Sequence, residues 1–161
     1  MTLENRAFPP RPSLSLFEEQ QYFRQWWLWA ILGGSCLLTL WAGSLVHSWI
    51  PAFVNLVLLS LFSALRLETR VDAVEIRLRF LPLTRRTIPL AEIQSCEART
   101  YRPIGEYGGW GIRWGSSGMA YNVSGGRGVQ LVLTSGKRVL IGSQRADELA
   151  TIINEARRSL R

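Results

Sequence analysis

The sequence predicts an α+β protein: an N-terminal transmembrane helical hairpin, then an antiparallel partial barrel of about seven strands, capped by a C-terminal helix. Three observations carry this. Residues 26–65 contain no Asp, Glu, Lys or Arg, and an apolar run of that length is about twice the roughly 20 residues one spanning helix needs. Past residue 67 the apolar period switches to two, the pattern of a half-buried strand. The C-terminal stretch returns to helical spacing, with acids at its start and arginines at its end.

Residues 1–14, with Pro9, Pro10 and Pro12 among polar residues, are expected to form a flexible, extended tail. Residues 15–67 are assigned to an interfacial helix start and the hairpin, and residues 68–161 to the soluble domain. Ser15-Leu16-Phe17-Glu18 has the form of a capping box and predicts a helix opening at about Ser15. Phe17, Tyr22, Phe23, Trp26, Trp27 and Trp29 follow, with Arg24 among them, and amphipathic aromatics beside a cation suit a headgroup layer.

The first span is predicted over residues 25–46, about 33 Å long at 1.5 Å per residue. Ser35, Thr39 and Gly43 form a row of small residues, with Ser60, Ser63 and Ala64 as the expected counterpart on the second helix. Pro51 suits the first turn of that helix, with Ser48 as its cap. The second span, residues 51–67, is short at about 26 Å, which calls for tilt or for Arg66 to snorkel. Trp49 and His47 fall in the connecting turn, His47 as a turn residue with no partner there to share a metal.

The turn carries no Lys or Arg, whereas Arg24 precedes the hairpin and Arg66 and Arg70 follow it. Both termini and the soluble domain are therefore expected on the cytoplasmic side of an inner, cytoplasmic-type membrane. Mixed polar residues precede the apolar run, which exceeds a signal peptide's apolar core of about 7 to 15 residues, so the hairpin is expected to be retained.

In the soluble part, Val74, Ile76, Leu78 and Phe80 alternate with Glu75, Arg77 and Arg79, predicting one buried and one wet face. Residues 66–71 are the expected partner strand. Pro82-Leu83-Thr84-Arg85 turns the chain into residues 86–89, where the proline marks an edge or strand end. Residues 90–93 read as a short turn and 94–101 as extended, with Cys96 and Ala98 on one face. Residues 105–128 are glycine-rich and are expected to hold two short strands plus loops. Residues 128–134 and 137–142 flank Ser135-Gly136, a two-residue hairpin signal. Ser143 is the expected cap of a final helix whose apolar stripe is Leu149, Ile152, Ile153, Ala156 and Leu160.

The net charge of +7 lies entirely after the hairpin, where sixteen basic residues face nine acidic ones and only Lys137 is lysine. Arginine favours planar, bidentate contacts, and a basic domain tethered to a bilayer lies close to anionic headgroups. Proximity to lipid explains the charge more economically than nucleic acid does. Cys36 and Cys96 read as reduced, buried small side chains. The only histidine is His47 and the acids show no metal-ligand spacing, so no catalytic, metal or cofactor site is expected. Gly109-Trp110-Gly111 and Gly115-Ser116-Ser117-Gly118 match neither a dinucleotide fingerprint nor a P-loop.

Two surfaces remain as candidates. Arg77 and Arg79 share a wet strand face with Arg85 and Arg86 at the following turn, so four guanidinium groups can converge on a lipid or a partner. The plainer alternative is a solvated face. Tyr101, Arg102, Tyr107, Trp110, Arg113 and Trp114 are a candidate partner patch, unless the aromatics fill the barrel.

The order of apolar hairpin, Val74-Glu75-Ile76-Arg77-Leu78-Arg79-Phe80, Arg86-Thr87-Ile88-Pro89-Leu90-Ala91-Glu92-Ile93 and terminal helix resembles small bacterial membrane proteins with a pleckstrin-homology-like domain. The run from Tyr101 to Arg113 and the run from Ala120 to Val129 are similar to motifs of uncharacterised members of that group. The resemblance covers about residues 66–160 and implies two near-orthogonal sheets closed by a helix. It implies binding of lipids, peptides or proteins rather than one activity. The expected function is a non-enzymatic, membrane-anchored binding or scaffold module for a membrane-protein partner or anionic lipid. The alternatives are an accessory subunit whose hairpin makes the main contacts, and an enzyme acting on a lipid or nucleotide.

Overall fold

The computed structural model describes residues 15–160, so the expected tail over residues 1–14 lies outside the described residues. The helix expected from Ser15 is instead a strand, β1 (Phe17–Tyr22). Phe17, Glu19 and Gln21 face inward and the residues between them face out, a period of two that a helix could not bury. A local cap contributes about 1 kcal/mol, which a six-residue ladder with the strand at Arg66–Val71 outweighs. Glu18, the intended cap partner, binds Arg70 across that ladder at 2.7 Å.

Helix α1 (Trp26–Val46) follows, and α2 (Ile50–Ala64) returns beside it after a short turn. His47 makes the turn in the left-handed region at φ 52°, its N–H closing back on the Gly43 carbonyl. A Cβ on Gly43 would lie 2.8 Å from the Ser48 carbonyl oxygen, so only glycine admits this reversal. Pro51 occupies the first turn of α2 as expected, but Trp49 rather than Ser48 is the N-cap residue, and no side chain caps it.

The row Ser35, Thr39 and Gly43 does face α2. Its counterpart is Asn55, which donates to Ser35 Oγ (3.1 Å) and Thr39 Oγ1 (3.5 Å), whereas Ser60, Ser63 and Ala64 are exposed. A stretch of 20 residues, Trp26–Leu45, is long and apolar enough to cross a membrane; α2, at 15 residues, is shorter than that. It ends at Ala64 because Leu65 is already extended and buried against the domain core.

The chain then forms β2 (Arg66–Val71), β3 (Glu75–Leu81), β4 (Thr84–Pro89), a 3-10 turn at Leu90–Glu92, β5 (Ile93–Thr100), α3 (Pro103–Tyr107), β6 (Gly111–Gly115), β7 (Gly118–Asn122), β8 (Arg127–Leu133), β9 (Arg138–Gly142) and α4 (Ala146–Ser159). Two sheets result, one ordered β1-β2-β3-β4 and one ordered β5-β8-β9-β7-β6. The described residues thus hold nine strands rather than about seven, and the second sheet is mixed, because β7 pairs with β9 in parallel. β8 pairs with β5, so β9 returns along β8 into the space beside β7 and runs in the same direction.

Helix α3 was not expected in the glycine-rich region. Pro103 starts it, the Glu106 carboxylate accepts the Arg102 N–H at 2.8 Å, and Gly108 ends it at φ 71°. The loop between β8 and β9 is longer than two residues, with Gly136 at φ 77° and the Leu133 N–H bonded to the Lys137 carbonyl.

Leu67, Ile76, Leu78 and Ile88 of the first sheet meet Leu131 and Ile141 of the second and Leu149 and Ile153 of α4 in one buried cluster. Leu160 is exposed and lies outside the stripe assigned to it. Ser143 does not cap α4 as its N-cap residue, which is Arg145; its hydroxyl donates to Glu19 Oε2 at 2.5 Å. With Gln144 N–H donating to Glu19 Oε1 at 2.9 Å, this buried carboxylate pins β1 to the start of α4.

β1 and β2 pair in register from Phe17↔Val71 to Tyr22↔Arg66. The whole helix pair is therefore inserted in the connection between two neighbouring strands, and the expected division into residues 15–67 and 68–161 cuts across this sheet.

Candidate binding surfaces

The outer face of the first sheet is laid out by register. Glu18, Arg70, Arg77 and Thr87 form one cross-strand row; Gln20, Glu68, Arg79 and Arg85 form the next. Arg70, Arg77, Arg79, Arg85 and Arg86 line one cavity of about 300 Å³, although the Arg86 guanidinium is directed away from it, onto Tyr121. Most of this charge is already answered. Arg77 pairs with Glu75 (2.5 Å) and Asp72 (3.2 Å), Arg79 with Glu68 (3.7 Å) and Arg70 with Glu18. The exposed members of such pairs add little stability but do neutralise one another.

Arg85 has no carboxylate within 4.0 Å among the described residues. Arg86 alternates to the inner face of β4, where its guanidinium lies 5.6 Å from the centre of the Tyr121 ring and donates to Tyr121 Oη at 3.1 Å. Arg86 also lines a second cavity, of about 320 Å³, with Trp114, Ser116, Met119, Lys137 and Arg138. A Cβ on Gly118 would sit 2.3 Å from the Arg138 carbonyl oxygen, so a glycine at φ 96° is what lets the two segments close up. None of Arg85, Arg86, Lys137 and Arg138 has an ion-pair partner among the described residues. These four cations lie along β4 and the β8–β9 turn, with Arg86, Lys137 and Arg138 around one cavity. Lys137 and Arg138 carry no signal in the sequence beyond flanking a turn; only the fold brings them beside Arg86.

The aromatic patch does not stay together. Tyr101 and Tyr107 are each 3% exposed, stacked edge to face at 5.9 Å over Ala120 and Leu140 in a second small core. Burial pushes the Tyr101 phenol upward, opposed by the Asn122 amide that donates to it at 3.0 Å. Arg99 lies beside them and donates to Glu106 (2.9 Å) and Tyr107 Oη (3.1 Å). The Arg102 N–H and then Arg99 hold the Glu106 carboxyl below its ordinary value. Arg102 itself is exposed, and Trp114 is 78% exposed beside the basic edge.

Trp110 and Arg113 turn instead toward the foot of α1. The Trp110 ring lies 6.1 Å from that of Trp27, its Nε1 donates to the Gly125 carbonyl, and Arg113 Nε donates to the Trp110 carbonyl at 3.3 Å. Of the residues assigned to a membrane interface, Arg24, Trp26, Trp27 and Trp49 are exposed. Arg66 is not a snorkelling helix residue: it begins β2, paired with Tyr22 and Leu81, and its guanidinium lies 3.1 Å from Glu68.

Cys96 lies under α4, where burial pushes its thiol up to about 12, a value that leaves it protonated and unreactive. Among the described residues no three His, Cys, Asp or Glu side chains gather as a metal ion requires. No protein-family model matches the chain, and no curated protein matches it.

Proposed function

We propose that this protein is a membrane-anchored, non-enzymatic binding module. The helix pair holds a pleckstrin-homology-like domain at the cytoplasmic face, and the edge formed by Arg85, Arg86, Lys137 and Arg138 takes an acidic ligand there. The carrying observation is the placement of the helices between two directly paired strands. If α1 crosses a bilayer, β1 and β2 can pair only when the chain comes back to the same side, so α2 is read as the return crossing. At 15 residues it rises about 22 Å against roughly 30 Å of hydrocarbon, a mismatch met by local thinning and by the exposed Trp49 at its start.

Further support comes from the helix surfaces: Ile31, Leu37, Leu38, Trp41 and Leu45 of α1 and Ile50, Phe53 and Leu56 of α2 are all exposed, an apolar area that water does not tolerate. Arg24, Arg66 and Arg70 flank the helices on the domain side, consistent with a cytoplasmic domain. A cleaved signal sequence fits poorly, since removing α1 would also remove β1. Two sheets closed by a C-terminal helix support the pleckstrin-homology-like reading.

The test is flotation of the full-length protein, reconstituted in neutral nanodiscs, with anionic or neutral vesicles, alongside crosslinking in native membranes. Binding to anionic vesicles or to an acidic partner is expected to fall about fivefold for each of Arg85→Ala, Lys137→Ala and Arg138→Ala, as each cation near a surface contributes about 1 kcal/mol. Vesicle binding identifies lipid as the ligand, and a crosslinked polypeptide identifies a protein. Insensitivity of both to the triple substitution sinks the proposal.

A further inference from the structure

A third cavity, of about 370 Å³, opens where the domain meets the feet of the two helices. Its walls are Phe23, Trp27 and Leu28 at the start of α1, Phe62 near the end of α2, and Ile104, Trp110 and Arg113 of the domain. Phe23 and Phe62 stack edge to face at 6.0 Å, and Gln25 ties the α1 entrance to the domain by donating to the Val123 carbonyl at 2.7 Å. The groove is thus built by contacts on both sides rather than left as a gap. On α1 the lining residues Trp27 and Leu28 are followed on the same helix face by the exposed Ile31, so the apolar wall runs on along the helix. Its polar rim is positive. Arg113 is the charged residue that lines the groove, and it has no ion-pair partner among the described residues. Arg113 spends Nε on the Trp110 carbonyl, which orients the fork and leaves its terminal nitrogens for an anion.

We propose that this groove holds one anionic phospholipid of the surrounding bilayer, its phosphate on Arg113 and its acyl end against Phe23, Leu28 and Phe62. Apolar continuity with α1 selects a lipid over a soluble anion, and the unpaired Arg113 selects a negative headgroup. The lipid would then fill the joint between helices and domain and set the angle between them. This rests on the membrane-anchored reading but not on the basic edge of β4.

The test uses the full-length protein in nanodiscs of phosphatidylcholine with phosphatidylglycerol, extracted into detergent and weighed by native mass spectrometry. Wild type is expected to retain one phosphatidylglycerol per chain in preference to phosphatidylcholine, and Arg113→Gln to lower that retention about fivefold. Equal retention of the two lipids by the wild type, which requires no variant, overturns the proposal. So does retention unaffected by Arg113→Gln, lost instead in the Arg85, Lys137, Arg138 variant, or replaced by a co-purifying polypeptide. Release of the protein from membranes by alkaline carbonate overturns the anchored reading as well; carbonate resistance without lipid preference overturns the groove alone.

Discussion

Glu106 shows how one side chain can organise several backbones. It accepts the Arg102 N–H at the start of α3 and an Arg99 N–H from β5, and those bonds, in that order, depress its carboxyl. A depressed carboxyl stabilises the fold above its unfolded value near 4.5 and loses that contribution as pH falls through its lower folded value. Urea unfolding should therefore show wild type more stable than Glu106→Gln at pH 7, with the gap narrowing at pH 3. A gap that widens in acid would contradict the assignment. At this scale the sequence was partly legible. Arg77, Arg79 and Arg85 share the outer face as strand alternation indicates, whereas Arg86 falls on the inner face beside Tyr121. Whether each is balanced depends on cross-strand carboxylates such as Glu68 and Glu18, whose positions follow from register and not from spacing. Tyr101 and Tyr107 were indistinguishable from surface aromatics because their burial is created by Ala120 and Leu140, distant in the chain.

Among the elements, β1 is the instructive case. Ser15 and Glu18 carry a helix-start pattern, yet Phe17, Glu19 and Gln21 share a face that the sheet buries, and a buried face outranks a local cap. Ser15→Ala should accordingly leave stability unchanged, whereas a helix start would lose about 1 kcal/mol. Glu19→Ala should cost about 2 kcal/mol or more, because it strands the Ser143 hydroxyl and the Gln144 N–H. Thermal unfolding of the two variants separates the cases. Helices α1 and α4 and strands β2 to β5, β8 and β9 were readable from apolar run and period, although the cap assigned to α4 and the two-residue turn between β8 and β9 do not form. The start and stop signals of α3, Pro103 and Gly108, were present but were submerged in a glycine-rich stretch. The parallel pairing of β7 with β9 has no local signature, since it is imposed by where β8 docks.

For the whole molecule, the decisive relation is the adjacency of Tyr22 and Arg66 across the helix insertion. Replacing residues 23–65 by an Asn-Gly turn should convert β1 and β2 into an ordinary hairpin and release a soluble domain with a cooperative thermal transition. Aggregation of that variant would mean that Leu65, Phe23 and Phe62, which pack on the core, are indispensable to it.

The same adjacency also dictates an order of events during synthesis. β1 leaves the ribosome before either helix, and its partner β2 follows only after both. The first sheet therefore cannot close, nor Glu19 meet Ser143 and Gln144, until the second helix has been laid down and the chain has come home. A chain in which β1 fails to dock keeps β2 with an open edge and leaves the Ser143 hydroxyl and the Gln144 N–H without their acceptor. In that sense, closure of the first sheet reports that the intervening helix pair has folded back on itself.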